Sequence, residues 1–241
     1  MIGVIGGNGV AATNRLAQLI EEKIIKAGAF RDAHHPEMII WQATQVPSRS
    51  MYLEGRGPSF IEDYVRIGQQ LKACGCTELC MCCNTAHYAV DELTEKIGLP
   101  FINIIDEVAK RISQRGFKNA VIMCSDGCRM TRLYEKSFEK YAPNITILYP
   151  TEEEQRLVTK GICNAKNIHR YDATDSIDNP HYIFAELVAT LRERCRDMDK
   201  PCIVGGCTDI NNVYFDDQAN YIDSLEVLAD EIFKRNKEYI G

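Results

Sequence analysis

Several features that would indicate a membrane, nucleic-acid-binding or secreted protein are missing from this chain of 241 residues. No run of about 18 apolar residues occurs, so no membrane-spanning helix is expected. The first residues, Met1 to Ile5, lack the basic segment of a signal peptide and have the pattern of a buried strand. Basic residues are not in excess either, since the formal net charge is −6. That charge argues against a nucleic-acid or membrane partner.

Low-complexity tracts and flexible linkers are also lacking, whereas cysteine is abundant. The 11 cysteines are an odd number, and several lie in predicted buried strands. We therefore expect reduced thiols in a cytoplasmic protein rather than a disulfide framework. Cys80 and Cys83 would point to opposite faces of one strand, and no second pair has standard zinc spacing. No metal site is predicted.

The most informative stretch runs from Glu78 to His87. Its first half is an apolar, β-compatible run that ends at Cys83, and its second half begins a helical pattern that Gly98 ends. Cys83 is thus predicted at the carboxyl end of a strand, just before a helix. Free backbone N–H groups and the helix dipole favour a thiolate at such a position.

A second stretch, Pro201 to Ile210, has the same organisation. It is a buried-strand pattern that ends in Cys207 and Thr208. A single cysteine is most often a small, inert core residue, but two at equivalent strand ends indicate a functional pair.

Strand and helix patterns alternate along the whole chain, which is typical of parallel sheets covered on both faces. We predict an α/β fold of two pseudo-symmetric lobes, each a mainly parallel four-stranded sheet flanked by helices, with the active site in the cleft between them. The predicted lobes are residues 1–100 plus 211–241 and residues 101–210, the last helix returning to the first lobe. The predicted strands are Met1–Ile5, Glu37–Gln45, Leu79–Cys83, Phe101–Ile105, Lys118–Cys124, Ile145–Tyr149, Pro201–Gly206 and Tyr221–Asp223.

Other local signals predict helix boundaries. Ser59 with Glu62, and Thr151 with Glu154, have the spacing of capping boxes. One helix is predicted from Arg129 to Tyr141, and the final helix from Ser224 to Tyr239. The polar segment 166–172 is predicted to be a loop.

A glycine-rich turn, Gly6 to Gly9, follows the first strand and is suited to binding an anion. It fits the G-x-G-x-x-A form of a dinucleotide fingerprint, but strand two ends at Thr44 and Gln45 without the acid that NAD binding requires. A carboxylate or phosphate site is therefore favoured. Arg49 follows strand two and should lie at the ligand-binding edge of the sheet.

Two thiols facing one small ligand suit a particular reaction. One removes a proton from a carbon and the other returns a proton from the opposite side, which inverts that carbon. Acyl transfer would need a histidine within reach of a cysteine, and His87, one turn into its helix, is expected to point away.

Motifs across essentially the whole chain resemble the aspartate/glutamate racemase family, which works without pyridoxal phosphate. They are Cys83-Asn84-Thr85-Ala86-His87, Gly206-Cys207-Thr208, the turn Gly6–Gly9 with Ala11-Ala12-Thr13, Val46-Pro47-Ser48-Arg49, and Gly161-Ile162 followed by Lys166.

This resemblance implies a homodimer that uses no cofactor and has an interdomain active site. It implies Cys83 and Cys207 as the two bases, Cys207 acting on the L form and Cys83 on the D form. Arg49 and Lys166 would bind the side-chain carboxylate of the substrate. Residues implied to bind the α-carboxylate or ammonium are Asn84, Thr85 and Thr208, and the other predicted substrate contacts are Gly7, Asn8, Thr44 and Ser125.

Departures from the family pattern bear on the substrate. Asp209 stands where glutamate is usual, and Asp126 lies in a turn that differs from the common form. Gly6-Gly7 replaces the Asp-Ser typical of glutamate racemases, which favours an aspartate-type enzyme. The alternatives are a hydantoin racemase or maleate isomerase on the same scaffold, and a non-catalytic protein that binds dicarboxylates or amino acids.

Overall fold

The structure is a computed structural model that describes residues 1–171 and 177–236. Two parallel four-stranded sheets form its frame, with strand orders β2-β1-β3-β4 and β6-β5-β7-β8. The two orders are equivalent, so the expected α/β fold of two similar halves is confirmed. The strands are β1 Ile2–Gly6, β2 Met38–Gln42, β3 Glu78–Met81, β4 Phe101–Ile102, β5 Asn119–Met123, β6 Thr146–Leu148, β7 Pro201–Gly205 and β8 Tyr221–Asp223.

Helices cover both faces of each sheet, as right-handed crossovers between parallel strands require. Short 3-10 segments occur at Asp32–His34, Asn84–Ala89, Ala165–Tyr171 and Ile210–Asn212. The α-helices are α1 Val10–Lys26, α2 Arg49–Leu53, α3 Ile61–Ala73, α4 Val90–Ile97, α5 Ile104–Gln114, α6 Asp126–Met130, α7 Leu133–Tyr141, α8 Glu152–Asn164, α9 Pro180–Arg194 and α10 Ser224–Asn236. None of the helices in this described part is long and apolar enough to cross a membrane.

The largest hydrophobic cluster lies between the two sheets. Buried side chains of α1, α5, α7 and α10 meet there with residues from the inner faces of both sheets. Strand alternation assigns the faces: Cys80 and Cys82 belong to this central layer, whereas Leu79 and Met81 face the outer layer of α3 and α4. Helices α8 and α9 cover the outer face of the second sheet in the same way.

The strand pairing differs from the expected lobe boundaries at two strands. β4, which was placed in residues 101–210, pairs with β3 in the first sheet. β8, which was placed with the first lobe, pairs with β7 in the second sheet. Each short strand completes the sheet edge beside a cysteine-bearing strand, so the chain crosses between the halves immediately after these two strands, through α5 and α10.

Three local predictions were wrong. Strand four stops at Ile102 because Asn103 caps α5 and accepts from the backbone N–H groups of Ile105 and Asp106. The helix predicted from Arg129 is divided into α6 and α7, because Arg132 has a left-handed backbone (φ 52°). The capping box at Ser59 does not form, since α3 starts beyond Phe60 without a side-chain cap.

Of the other local predictions, one is confirmed, one is changed and two lie outside the described residues. The capping box of Thr151 and Glu154 is present at the start of α8. The segment predicted as a loop from residue 166 is largely a 3-10 turn with a kink at Asn167. Asp172, and the predicted end of the last helix at Tyr239, lie outside the described residues.

Candidate active site

Both predicted cysteines lie just past the carboxyl ends of their strands. Cys83 has an extended backbone (φ −137°) and directly precedes the 3-10 segment that begins at Asn84. Cys207 follows β7 at the equivalent position. We call residues 82–88 the Cys83 turn and residues 205–211 the Cys207 turn. The Thr208 hydroxyl of the second turn donates a 2.6 Å hydrogen bond to the carbonyl oxygen of Cys82 in the first, so the two turns are in contact.

A cation lies beside Cys83. Arg49 begins α2, where Ser48 provides the N-cap, and its guanidinium donates to the carbonyl oxygens of Pro47 and Asn8 at 3.1 Å each. Burial alone would lower the pKa of Arg49, but the charge of a Cys83 thiolate, the Tyr64 phenol and a hydrogen bond to Cys83 together raise that pKa. The guanidinium of Arg49 is therefore an electrostatic neighbour of the Cys83 sulfur.

The surroundings of Cys207 are different. Burial, the carboxylate of Asp209 and the charge of Cys83 raise the pKa of the Cys207 thiol well above its ordinary value. A hydrogen bond from the Asp209 backbone N–H and the ammonium of Lys166 oppose this rise without cancelling it. Cys207 is therefore a neutral thiol at pH 7.

A cavity of about 270 Å³ opens beside Arg49, and it is large enough for a small amino acid. Neither Cys83 nor Cys207 lines it, but Arg49, Lys166 and Asp209 of its lining interact electrostatically with the two thiols. Its lining includes five of the predicted substrate contacts: Gly7, Asn8, Thr44, Arg49 and Lys166. The structure thus brings together residues from four separate segments. Asp209, which was not among the predicted substrate contacts, also lines the cavity, and the Asp209 carboxylate accepts a 2.6 Å bond from the Lys166 ammonium.

Asn8 is the most buried polar side chain of this lining. Its amide nitrogen donates to the carbonyl oxygen of Ile5 at 3.0 Å and to the Tyr64 hydroxyl at 2.9 Å. Its Oδ1 has no hydrogen-bond partner in the described part of the chain, and neither has the buried Nε of Arg49. Buried polar atoms of this kind are usually paired, so these two are available to a ligand.

The other predicted contacts have side chains that already hold protein partners. Asn84 bonds to Ser224 and Tyr134, and the hydroxyls of Thr85 and Ser125 meet at 2.7 Å. Thr208 is engaged by the Cys83 turn as described above. Their role in substrate binding stays a prediction.

His87 points away from the sulfur. Its Nδ1 donates to the carbonyl oxygen of Cys83 at 2.9 Å, and its Nε2 accepts from the backbone N–H of Ile104 at 3.4 Å. Burial lowers its pKa to about 4. The neutral ring therefore links the Cys83 turn to the start of α5 and does not act as a base for Cys83.

Several residues at the site were not singled out from the sequence. Tyr64, Tyr134 and Ser224 come from three distant helices, and no motif marks them. The sequence gives a weak indication for Asn211, because it lies four residues past Cys207 just as His87 lies four residues past Cys83. Both side chains are buried. Asp126, left without a role, accepts bonds from Gln155 and Thr159.

The chain is similar to known racemases in sequence and in fold. The chain is 23% identical over 234 residues to the broad specificity amino-acid racemase RacX of Bacillus subtilis (strain 168), covering 95% of each protein. The structure of Picrophilus torridus aspartate racemase superposes with a TM-score of 0.77 at 23% identity, covering 99% of this chain and 96% of the other. A putative Asp/Glu racemase from Yersinia pestis gives 0.74 at 16% identity, with 98% of both chains covered. Residues 2–232 match the model of the Asp/Glu/Hydantoin racemase family, and the chain therefore belongs to that family of racemases.

Proposed function

We propose that this protein racemises an acidic amino acid, aspartate or glutamate, with Cys83 and Cys207 as two bases and without pyridoxal phosphate. The observation that supports this most directly is the unequal electrostatic surroundings of the two thiols. Cys83 has the Arg49 guanidinium beside it, whereas burial and Asp209 keep the proton on Cys207. Two-base racemisation needs one thiolate and one thiol at the start of each turnover.

In this mechanism the Cys83 thiolate removes the α-proton of the D form and becomes a thiol. The electron pair of the broken C–H bond stays on the α-carbon, which becomes planar. Cys207 then gives its proton to the opposite face, which yields the L form and leaves Cys207 as a thiolate. That second protonation state accepts the L form, and the same steps run in reverse.

The charges of the cavity favour an acidic substrate. Arg49 and Lys166 supply two cations and Asp209 one carboxylate. An acidic amino acid carries the complementary set of two carboxylates and one ammonium. An Arg fork suits a planar carboxylate, and Asp209 suits the ammonium group.

The test uses purified protein in D2O with L-aspartate and then L-glutamate, without added cofactor. Optical rotation reports inversion and proton NMR reports loss of the α-proton. We expect both signals in the parent and neither in Cys83→Ala or Cys207→Ala. Cys163→Ala is the matched control, because Cys163 is an exposed thiol on α8, and it should retain full activity.

Other outcomes have defined meanings. Retained racemisation in both cysteine variants would refute the two-base mechanism. Binding of aspartate or glutamate without α-proton exchange would indicate a binding protein. Turnover of another amino acid, or of a hydantoin, with the same dependence on both cysteines would keep the mechanism and change the substrate.

A further inference from the structure

We infer that Ser224 is a positioning residue that fixes the Cys83 turn and the Cys207 turn relative to each other. This inference rests on the two-cysteine function proposed above. Ser224 is the first residue of α10 and is fully buried. Ser224 neither lines the cavity nor is one of the two proposed bases, so any effect on the reaction must act through its neighbours.

One hydroxyl group contacts both turns. Oγ of Ser224 donates a 2.8 Å hydrogen bond to the carbonyl oxygen of Gly205, two residues before Cys207. The same oxygen accepts a 3.1 Å bond from Nδ2 of Asn84, the residue that follows Cys83. Ser224 therefore joins the end of β7 in the second sheet to the Cys83 turn at the end of the first.

Further buried groups fix the two amides that surround Ser224. The Tyr134 hydroxyl donates to Oδ1 of Asn84 at 3.0 Å. On the other side, Asn211 donates to Ser224 at 3.3 Å and to the Gly205 carbonyl at 3.0 Å, and accepts from Tyr221 at 3.2 Å. A buried network in which each amide has partners at both ends holds a single geometry.

Two glycines make room for this network. A side chain at Gly205 would collide with Asn211 and with the Tyr221 hydroxyl, and a Cβ at Gly206 would lie 2.7 Å from the Tyr134 hydroxyl. The pair just before Cys207 is therefore needed for the contact between the turns, because only glycine lets these polar groups reach the strand end.

The spacing of the two sulfurs depends on this contact. Cys83 is bonded covalently to Asn84, and Cys207 lies two residues from Gly205, so movement of either turn about Ser224 moves one sulfur relative to the other. Proton transfer to and from one carbon needs both sulfurs at contact distance, and small displacements reduce the rate strongly. Loss of the Ser224 hydroxyl should lower kcat more than it changes substrate binding.

The experiment compares Ser224→Ala with the control Ser137→Ala. Ser137 is also buried and donates one 2.6 Å bond, to Asp106, and no hydrogen bond in the described part of the chain joins it to either turn. With the amino acid that the parent racemises, we expect kcat of Ser224→Ala to fall about ten- to one-hundred-fold with KM within about twofold of the parent. Ser137→Ala should keep the parent kcat.

Hydrogen exchange measured by mass spectrometry supplies a readout that needs no activity. Ser224→Ala should speed exchange in peptides from both turns, whereas Ser137→Ala should not. Exchange that rises in one turn only, or kcat that stays at the parent value, would overturn the positioning role. If the parent racemises nothing, the proposed function fails while the exchange result still decides whether Ser224 couples the turns.

Tyr134→Phe keeps the test usable if Ser224→Ala does not fold. It removes only the hydroxyl that bonds to Asn84 and keeps the ring. Faster exchange in the Cys83 turn alone, with a smaller fall in kcat, is expected. Unchanged exchange and unchanged kcat in this variant would contradict the network as the determinant of sulfur spacing.

Discussion

At the scale of single residues, the site combines one cation, Arg49, whose position is fixed by hydrogen bonds, with two thiols in different electrostatic surroundings. Arg49 is held by two carbonyl oxygens and reaches Cys83 with the same planar group. A lysine could place one charge there but could not reproduce the fork. The identity of this side chain, and not only its charge, therefore matters to the proposed reaction.

Arg49→Lys is expected to lower kcat/KM by about 10- to 100-fold. The physical reason is the loss of a charge-assisted bond of about 1.5–3 kcal/mol in a buried position. Steady-state racemisation kinetics measure the effect. Arg66→Lys is the matched control, because Arg66 is exposed and, among the described residues, forms only a surface ion pair with Asp63, and it should behave as the parent. Equal kinetics in both variants would contradict the assigned role of Arg49.

The buried, neutral His87 should make the free energy of unfolding depend on pH. Its pKa is about 4 in the folded protein, below the ordinary value of 6.5, because the buried ring resists protonation. The unfolded chain therefore binds the extra proton first. The stability associated with neutral His87 is present above pH 6.5 and is lost as pH falls toward 4, by about 3 kcal/mol in total.

Urea unfolding of the parent and of His87→Gln at several pH values isolates this contribution. The parent should be the more stable at pH 7, and the difference in free energy of unfolding should narrow as the pH approaches 4. His34→Gln, at a 3-10 turn near the surface, serves as the control variant. A difference for His87→Gln that is independent of pH would contradict the buried neutral ring.

Residues in short motifs could be predicted from the sequence, whereas residues from distant helices could not. Cys83 and Cys207 were predicted because strand pattern, helix start and family motif coincide. Tyr134 and Ser224 reach the site only because α7 and α10 pack in the central layer, and nothing local to Ser224 distinguishes it from any helix-starting serine. Asp209 could be noticed but not assigned, since its role depends on the distance to Lys166.

At the scale of elements, the caps determine where several helices begin. Asn103 shortens β4 and starts α5, and the left-handed Arg132 separates α6 from α7. Strand and helix periodicity predicted that these elements exist but not these boundaries. Asparagine can act as a cap or as a strand-end residue, and a positive φ at arginine has no sequence signal.

The capping box of α8 gives a prediction at this scale. Thr151→Ala removes the acceptor for the backbone N–H of Glu154 and should cost about 1 kcal/mol of unfolding free energy. Urea unfolding measures the loss. Thr190→Ala is the control, because Thr190 bonds only to a carbonyl within α9 and its removal should be close to neutral. Equal losses in the two variants would argue against the cap.

At the scale of the whole molecule, the four central helices connect the two sheets. Helix α10 packs on α1 and on α5, and α5 packs on α7. The general plan of two equivalent parallel sheets could be predicted from the alternation of strands and helices. The layer of helices between the sheets could not be predicted, because its composition depends on which sheet contains the strand that precedes each connecting helix.

This layer should make the two halves unfold together. Leu228→Ala removes a fully buried side chain of α10 and should cost about 2–5 kcal/mol. The single tryptophan, Trp41 in the first sheet, and far-ultraviolet circular dichroism should still report one coincident urea transition at a lower midpoint. Leu157→Ala, at an exposed site on α8, is the control. Two separated transitions would contradict the shared core.

Cys83 is close to the guanidinium of Arg49, whereas Cys207 is close to both the carboxylate of Asp209 and the ammonium of Lys166, and this difference has a kinetic consequence. Under the proposed mechanism, each conversion in one direction reverses which sulfur carries the proton. The enzyme is then in the protonation state that reacts with the product and not with another substrate molecule. Sustained conversion in one direction therefore requires a hydrogen to return between the sulfurs through water. This recovery step sets an upper limit on turnover when substrate is abundant.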